Sequence, residues 1–464
     1  MTSARPAAGA TRPAWIIAEL SAAGLSGTVA NVSVTVAVAA IARDLDASIA
    51  VTAATVVGLN VAMAFTMPLA GAWSARLGPR TLLIAAGAGL VISSLALSLA
   101  PNLLVLAIAR AGQGAVLAAV VPVSVQASGQ LLEGDAKARA LGWWGASNGL
   151  GLAFAPLVAG GLSEVVGWRW VAAPSCVLGL ALALTAFRAF PAALRSDDRI
   201  ALRGQGIVAI VTGTAMASLA TASAGLWLVA GASAAACAAA IVPARRAARP
   251  GGPLAHLDTW LRDPLVRRSS TGATLQMVAN GLIQVGVPAW LIVEGHVGAG
   301  GAAVLLLGMT LPMASMGPIT GRRPAVAFDD RLRRGLVGCG VGLGALGIAA
   351  SVGPWWVVGP GLLVVGFGAG SLLAPSLTAF SRSRAGTDTV ALSLYNLARL
   401  GAFGIGGLLG GVTVDAGAPG TAFLTIAAIC AGAAFAFRGR SGDDPDHGTT
   451  TPAPGTTARG GTDG

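Results

Sequence analysis

Residues 141–170 read LGWWGASNGLGLAFAPLVAGGLSEVVGWRW, and this stretch decides the fold class. It is apolar and long enough for a helix, yet glycines recur along it, at Gly145, Gly149, Gly151, Gly160 and Gly161. Each glycine costs about 1 kcal/mol in a helix exposed to water, whereas small residues between membrane helices let two backbones approach closely. Pro156 removes a backbone donor, which is tolerated inside a helical bundle. The stretch therefore predicts a transmembrane helix that packs against other helices.

The composition of the whole chain supports this prediction. Of the 464 residues, 55% are hydrophobic, 11% are charged and 66 are glycine, which is typical of polytopic membrane proteins. The formal net charge is +11, but the basic residues lie scattered between apolar segments, which argues against nucleic-acid binding. The four cysteines lie in different apolar segments without a CxxC pair, so we expect neither disulfides nor a metal site.

Apolar segments of about 20 residues cross a bilayer, and the chain contains roughly fourteen of them. They begin near residues 15, 49, 81, 103, 141, 170, 206, 225, 271, 302, 336, 355, 390 and 422. The boundary between the seventh and eighth segments, near Ser223, has no clear polar break, which leaves a count of twelve open.

The placement of arginine predicts the orientation. Loops after even-numbered spans contain most of the basic residues, whereas loops after odd-numbered spans contain essentially Arg43 and Arg169. Because basic loops are retained in the cytosol, both termini are predicted to be cytosolic.

The same pattern divides the chain into five parts. We expect a cytosolic tail over residues 1–14, a six-helix half over 15–190, two extra helices with a basic cytosolic linker over 191–270, a second six-helix half over 271–437, and a disordered cytosolic tail over 438–464. Within the linker, HLDTWLRD (residues 256–263) is either a short interfacial amphipathic helix or a solvated loop.

Motifs in and after the fifth span point to a family. The sequence LGLAFAPLVAGGL, residues 150–162, follows the glycine and proline pattern of an antiporter motif, with Ala155 and Ala159 in place of two glycines. GWRW follows at residues 167–170. Together these segments resemble the fourteen-helix drug:proton antiporters of the major facilitator superfamily.

Two intramembrane arginines lie in further segments that resemble this family. ARAGQG, residues 109–114, is similar to the family's buried arginine followed by glutamine and glycine, and it contains Arg110 and Gln113. SLYNLARLGAFGIGG, from residue 393, is similar to a motif of its thirteenth span and contains Asn396 and Arg399. An arginine inside a span costs at least about 2.5 kcal/mol unless it faces a cavity or a partner. For Arg110, bonding to the carbonyls of neighbouring helices is the alternative to a functional role.

Two other segments depart from the family pattern. GAWSARLGPR, residues 71–80, resembles its cytosolic gating loop through Gly71, Arg76, Gly78 and Arg80, but has alanine at position 75 where the family has an acid. LSGTVANVSVT, from residue 25, resembles the first span, with Ser26 in place of the aspartate.

The resemblance implies an all-α polytopic protein with the major facilitator fold, two six-helix halves and two central extra helices. It also implies a transporter of the bacterial cell membrane that works as a monomer. Such a transporter exports a lipophilic or amphiphilic drug, antibiotic or secondary metabolite by alternating access. Its partners are the lipid bilayer, the small-molecule substrate and protons, without a nucleic acid, and the proton gradient takes the place of a cofactor.

Proton coupling needs a group that exchanges a proton inside the membrane. Glu19 is the carboxylate that lies clearly within an apolar segment, and it is either the coupling residue or a partner for a basic residue at headgroup depth. Uncharged polar residues recur on one face of two spans, at Ser21, Thr28, Asn31 and Thr35 in the first and at Gln276, Asn280 and Gln284 in the ninth. These faces are candidate walls of the substrate pathway, and interhelical hydrogen bonding is the alternative.

Other functions remain open from the sequence. The missing acids at Ser26 and Ala75 suit uptake or facilitated diffusion, and the drift of several motif residues suits a transport-inactive sensor or scaffold of the same fold. We do not expect an enzyme, because no nucleophile, acid and base lie together and no phosphate-binding GxxxxGK[ST] sequence occurs. No catalytic residue is therefore predicted.

Overall fold

The computed structural model describes residues 13–194, 262–321, 328–383 and 389–437, together with the single positions 210, 235 and 239. Within these ranges the secondary structure is helical, without a β-strand. The described helices are numbered below in chain order.

The first set of helices comprises α1 Pro13–Val32, α2 Val38–Asp44, α3 Ile49–Leu77, α4 Pro79–Ser98, α5 Leu103–Leu131, α6 Gly134–Val165 and α7 Ala173–Ala189. A 3₁₀ turn at Thr35–Ala37 joins α1 to α2, so that Pro13–Asp44 forms one apolar segment of 32 residues. A second 3₁₀ turn, Trp168–Ala172, leads into α7. This set therefore contains six long helical segments, with α1 and α2 counted as one.

The second set comprises α8 Pro264–Val293, α9 Ala299–Gly321, α10 Phe328–Val352, α11 Val358–Arg382, α12 Thr389–Asp415 and α13 Pro419–Ala436. A 3₁₀ turn, Trp355–Val357, precedes α11. Side chains of Ser48, Asn102 and Asp263 accept hydrogen bonds from the first backbone N–H groups of α3, α5 and α8, which fixes where these helices begin.

The all-helical membrane architecture predicted from the sequence is confirmed, and ten of the described segments are long and apolar enough to cross a membrane. Helix α6 is not among these ten, although it contains the stretch from residue 141, because its glycines and Asn148 lower its mean hydropathy. Several helices begin earlier than predicted. Helix α6 begins at Gly134, α8 at Pro264 and α10 at Phe328, because helical hydrogen bonding continues into charged residues beyond the apolar stretch.

The predicted spans near residues 206 and 225, the linker up to residue 261 and both tails lie outside the described residues. The count of fourteen helices and the five domain boundaries therefore stay predictions.

The two sets of helices repeat one packing pattern. In the first set α1 packs on α6, α3 on α5 and α4 on α7, and in the second α8 packs on α12, α9 on α11 and α10 on α13. The sets meet through two equivalent contacts, α3 with α12 and α6 with α9. The bundle thus consists of two halves related by an internal twofold repeat.

The two ends of the bundle differ in charge. Arg76, Arg80, Arg139 and Arg188 lie at helix ends on the side where α1 begins, which we call the basic end. The opposite end is the one at which α2 and α12 end. At the basic end α3 turns sharply into α4 through Gly78, whose φ of 83° favours glycine.

Candidate substrate and proton pathway

Glu19 lies inside the first half, in the second turn of α1, and is fully buried. The hydroxyl of Ser124 in α5 donates a hydrogen bond of 2.6 Å to Glu19 Oε1, and Oε2 has no hydrogen-bond partner in the part of the chain that the structure describes. Among the described residues no cationic group pairs with this carboxyl. The structure therefore pairs Glu19 with a neutral hydroxyl, rather than with a basic residue at headgroup depth.

Arg110 forms a second polar link between α5 and α1. Its guanidinium Nη1 donates to the carbonyl oxygen of Ala30 at 2.6 Å and to Gln113 Oε1 at 3.0 Å. The amide of Gln113 in turn donates to Ser94 Oγ in α4 at 2.9 Å. Because Arg110 is fully buried and bonded to carbonyl and amide oxygens, it connects the second part of α1 to α5.

The polar residues of α1 point to different neighbours. Thr28 donates to Asn148 Oδ1 of α6 at 3.1 Å, and the Asn31 amide lies 3.4 Å from Asn60 Oδ1 of α3. Ser26 is fully buried and donates to the carbonyl oxygen of Ala23 in its own helix. These residues therefore do not form one uninterrupted wall of a pathway.

Three polar side chains of α8 are buried in the second half. Gln284 donates to Asn280 Oδ1 at 2.6 Å, and the amide nitrogen of Gln276 lies 3.7 Å from the sulfur of Met313 in α9. Within the described ranges, the side-chain carbonyl oxygens of both glutamines have no hydrogen-bond partner. This face of α8 therefore retains free acceptors inside the protein.

Arg399 lies on α12, beside the polar face of α8. Its Nη1 donates to Asn396 Oδ1 at 3.3 Å, and its Cζ lies 5.8 Å from the centre of the Tyr395 ring. That ring stacks on Phe380 of α11 with 4.4 Å between the ring centres. Arg399 thus belongs to the second half, apart from Glu19 and Arg110.

The halves are joined at the opposite end by two equivalent contacts. Asp415, the last residue of α12, accepts hydrogen bonds from the backbone N–H groups of Ile49 at 3.0 Å and Ala50 at 2.6 Å, at the start of α3. Glu164, near the end of α6, accepts a hydrogen bond of 2.8 Å from the backbone N–H of Gly300 at the start of α9. We call these two contacts the carboxylate seam.

The glycines of α6 have different surroundings. A Cβ added at Gly160 would lie 2.7 Å from the carbonyl oxygen of Ala299 in the other half, and one at Gly151 would lie 3.0 Å from Thr28 Cβ. Gly145 has open space around it, and Gly149 has only Ala314 Cβ, at 3.7 Å. Pro156 is buried within the helix. Close helix approach therefore explains Gly151 and Gly160, and not Gly145.

The loop motif lies at the basic end. Gly71 falls in the last part of α3, Arg76 is exposed, and the Arg80 guanidinium lies 4.2 Å from the centre of the Phe187 ring in α7. Arg80 therefore fastens the start of α4 to α7 by a cation–π contact.

The sequence of this chain also matches a known protein family. The sequence pattern of the Major Facilitator Superfamily matches residues 20–399. The chain belongs to the Major Facilitator Superfamily. It is thus a membrane transporter by family, and not an enzyme.

Part of this superfamily member is similar to three bacterial proteins. The multidrug export protein EmrB of Haemophilus influenzae is 29% identical over 164 residues, 35% of this chain and 31% of the relative. The multidrug resistance protein B homolog of Mycobacterium tuberculosis is 33% identical over 175 residues, 36% and 32% of the two chains. The fatty acid resistance protein FarB of Neisseria gonorrhoeae is 30% identical over 162 residues, 34% and 31%. The match spans about a third of the length of each relative.

Solved structures of the superfamily share the fold. A POT family transporter crystallised with a thioalcohol-conjugated peptide has a TM-score of 0.63 and 15% identity, with 92% of this chain and 94% of that chain covered. A peptide transporter POT variant has a TM-score of 0.64 and 14% identity, with 92% and 93% covered. At this identity the likeness shows the major facilitator fold alone.

In this superfamily member the predicted residues form two groups rather than one. Glu19 and Arg110 lie in the first half, and Gln276 and Arg399 in the second. The sequence analysis missed five polar residues, the partners Ser94, Ser124, Asn60 and Asn148 and the seam residue Asp415. Each of them is a polar side chain inside or at the end of an apolar segment, and this was the signal that could have identified them.

Proposed function

We propose that this transporter exports a lipophilic or amphiphilic small molecule across the bacterial cell membrane, by alternating access and against an inward flow of protons. The relatives named for drug export and for fatty acid resistance support export, on a matched stretch in each case. We further propose that it acts as a monomer with both termini in the cytosol.

The buried carboxyl of Glu19 is the observation that carries the proposal. An ionisable group inside the membrane is expensive and marks a functional site by default. Glu19 has one hydroxyl partner, a free Oε2 and no cationic partner among the described residues, so its carboxyl is available to exchange a proton.

The position of Glu19 also explains how a proton can act on helix packing. Two polar links join α1 to α5, the hydrogen bond from Ser124 to Glu19 and that from Arg110 to the carbonyl of Ala30. A change in the charge of Glu19 alters the first link directly. Helix α2, which continues the apolar segment that begins with α1, contacts α8 of the other half through Arg43, whose Nη2 lies 3.4 Å from the carbonyl oxygen of Ile292. The proton site is therefore connected to the interface at which the halves move.

Alternating access needs contacts between the halves that close one end and then release. The carboxylate seam supports this role, because each contact is a single charged side chain on the backbone of the other half. We propose that the seam is closed in the state described here and broken when the opposite end opens.

Flux in membrane vesicles tests the proposed function. Inside-out vesicles from a host without its own drug pumps, given an acidic lumen and no ATP, should accumulate a lipophilic dye several-fold over vesicles without the protein. A protonophore should abolish the accumulation. The proposal is wrong if lipophilic cationic, neutral and anionic compounds all fail to accumulate there, and also fail to move in liposomes that contain the purified protein.

The missing acids at Ser26 and Ala75 keep a second candidate, uptake or facilitated diffusion. In that case flux persists after the gradient is collapsed, or runs preferentially into right-side-out vesicles. A transport-inactive scaffold would show no flux of any compound and would retain a protein partner on the basic residues 243–270.

A further inference from the structure

Arg399 occupies an unusual position for a cation. It is the eleventh residue of α12, which places its Cα about 15 Å along the helix from the basic end, and the residue is partly exposed although its Nε is buried. A cation at such a depth persists where it faces a cavity or finds a partner.

The hydrogen bonding of Arg399 is incomplete. A guanidinium carries five N–H donors, and among the described residues Arg399 uses one of them, on Asn396 Oδ1 at 3.3 Å. Its Nε is buried without an acceptor, and among the described residues no carboxylate pairs with it. The helix therefore places most donors of a fixed cation inside the protein without an anion.

Arg110 provides an internal comparison. It is fully buried, and its two terminal nitrogens have acceptors in the carbonyl oxygen of Ala30, Gln113 Oε1 and the carbonyl oxygen of Asn31, at 2.6, 3.0 and 3.5 Å. Arg110 Nε has no acceptor among the described residues either, but both terminal nitrogens of Arg110 are bonded to the protein, as expected for a cation that holds helices together. Arg399 lacks these acceptors and remains partly accessible, as expected for a cation that meets a ligand.

The surroundings of Arg399 are both polar and aromatic. Its neighbour Tyr395 stacks on Phe380 one turn toward the basic end, and both rings are buried. Helices α8 and α12 run in the same direction, and Gly281 packs on Phe403, so Gln276 of α8 lies at about the depth of Arg399. Gln276 Oε1 and Ser376 Oγ of α11 are also buried without partners. Ser376 lies beside Gly272, one turn from Gln276 toward the basic end, so α8, α11 and α12 have unpartnered polar atoms within about one turn of each other.

We propose that Arg399 binds the carboxylate head of an amphiphilic substrate. The planar guanidinium matches a carboxylate in a two-bond geometry, which an ammonium group does not reproduce. This assignment rests on the proposed export function and names the substrate class, an alkyl or aryl carboxylate. The carboxylate of the substrate supplies the negative counter-charge that Arg399 does not have among the described residues.

A matched pair of ligands tests the assignment. Dodecanoate and dodecanamide differ in charge and share the same chain, and their dissociation constants are measured by calorimetry on the full chain in phosphatidylcholine nanodiscs at pH 8. The wild type should bind dodecanoate at least about tenfold more tightly, the gain expected for a charged hydrogen bond. Arg399→Gln should lower this ratio to about twofold or less, and Arg399→Lys should retain part of it.

The control is Arg267→Gln, which removes the same charge from an exposed position at the basic end and should leave the ratio unchanged. The ratio of the two dissociation constants for the wild type is measured without any variant. It therefore tests the assignment even if the Arg399→Gln protein folds poorly. The assignment is wrong if the wild type binds the two ligands equally. It is also wrong if Arg399→Gln and Arg267→Gln lower the ratio of the two dissociation constants by the same factor. Displacement of dodecanoate by phosphatidylglycerol at low mole fraction also overturns it, since the site then binds an anionic lipid.

Flux separates this inference from the proposed function. If the wild type exports dodecanamide or a neutral dye but shows no preference for the carboxylate, the assignment of Arg399 fails and export stands. If no probe binds or moves, both fail.

Discussion

Asp415, at the end of α12, accepts a hydrogen bond of 2.6 Å from the backbone N–H of Ala50 at the start of α3. Glu164 does the same for Gly300 of α9 at the internally equivalent position. Free N–H groups and the helix dipole make a helix start favourable for a negative charge, by about 0.3 to 1 kcal/mol. Each half therefore caps a helix of the other half, which is the basis of the proposal that the two caps close the opposite end.

Replacing Asp415 by alanine should loosen this closure. The reporter is Val57→Cys in a cysteine-free background, since Val57 is buried beside Gly404 of α12. We expect the rate at which a water-soluble maleimide labels this cysteine to rise about two- to fivefold, because losing a helix cap of about 0.3 to 1 kcal/mol changes an equilibrium by that factor. Thr413→Ala is the matched control, because the Thr413 hydroxyl bonds only to its own helix. Equal labelling of Asp415→Ala and its parent would contradict the closing role.

Adjacent glycines of α6 allow a paired test of helix approach. Gly160→Ala places a methyl group 2.7 Å from both the carbonyl oxygen of Ala299 and Ala303 Cβ, whereas Gly161→Ala meets no atom within 4 Å. Overpacking of this kind costs about 1 to 3 kcal/mol, so Gly160→Ala should lower the thermal unfolding midpoint and the flux. Gly161→Ala should keep both. If the two variants behave alike, close contact between α6 and α9 is not what position 160 requires.

Removal of the Arg110 guanidinium should destabilise the first half. Arg110→Gln leaves the carbonyl of Ala30 and the side chain of Gln113 without their charged donor, at a cost of about 2 to 3 kcal/mol. Denaturation of the purified protein followed by tryptophan fluorescence measures this loss. The exposed Arg334→Gln serves as control and should unfold like the wild type. A stable Arg110→Gln protein would show that the link between α1 and α5 is dispensable.

How much of the structure could be predicted from the sequence differs between residues with local partners and residues with distant ones. Helices such as α4 and α13 could be predicted from apolar length alone, since membrane spans are set by bilayer thickness. Arg110 and Gln113 could be predicted to bond because they lie one turn apart on a helix.

The partners across the bundle could not be predicted in this way. Ser124 is 105 positions from Glu19, and Asn148 is 120 positions from Thr28, so these pairs depend on how the helices rotate and pack. Asp415 looked like an ordinary residue at the end of a span, and its role became visible only once the start of α3 was placed beside it.

Proton movement in response to substrate tests the central claim most directly. In liposomes containing the purified protein and a pH indicator, addition of an exported substrate should drive proton counterflow in the wild type and in Glu294→Gln, whose carboxylate is exposed. Glu19→Gln should bind the substrate and exchange it down its gradient, yet show no proton counterflow and no uphill flux. Proton-driven uphill transport by Glu19→Gln at the wild-type rate would contradict the assignment of Glu19 as the coupling residue.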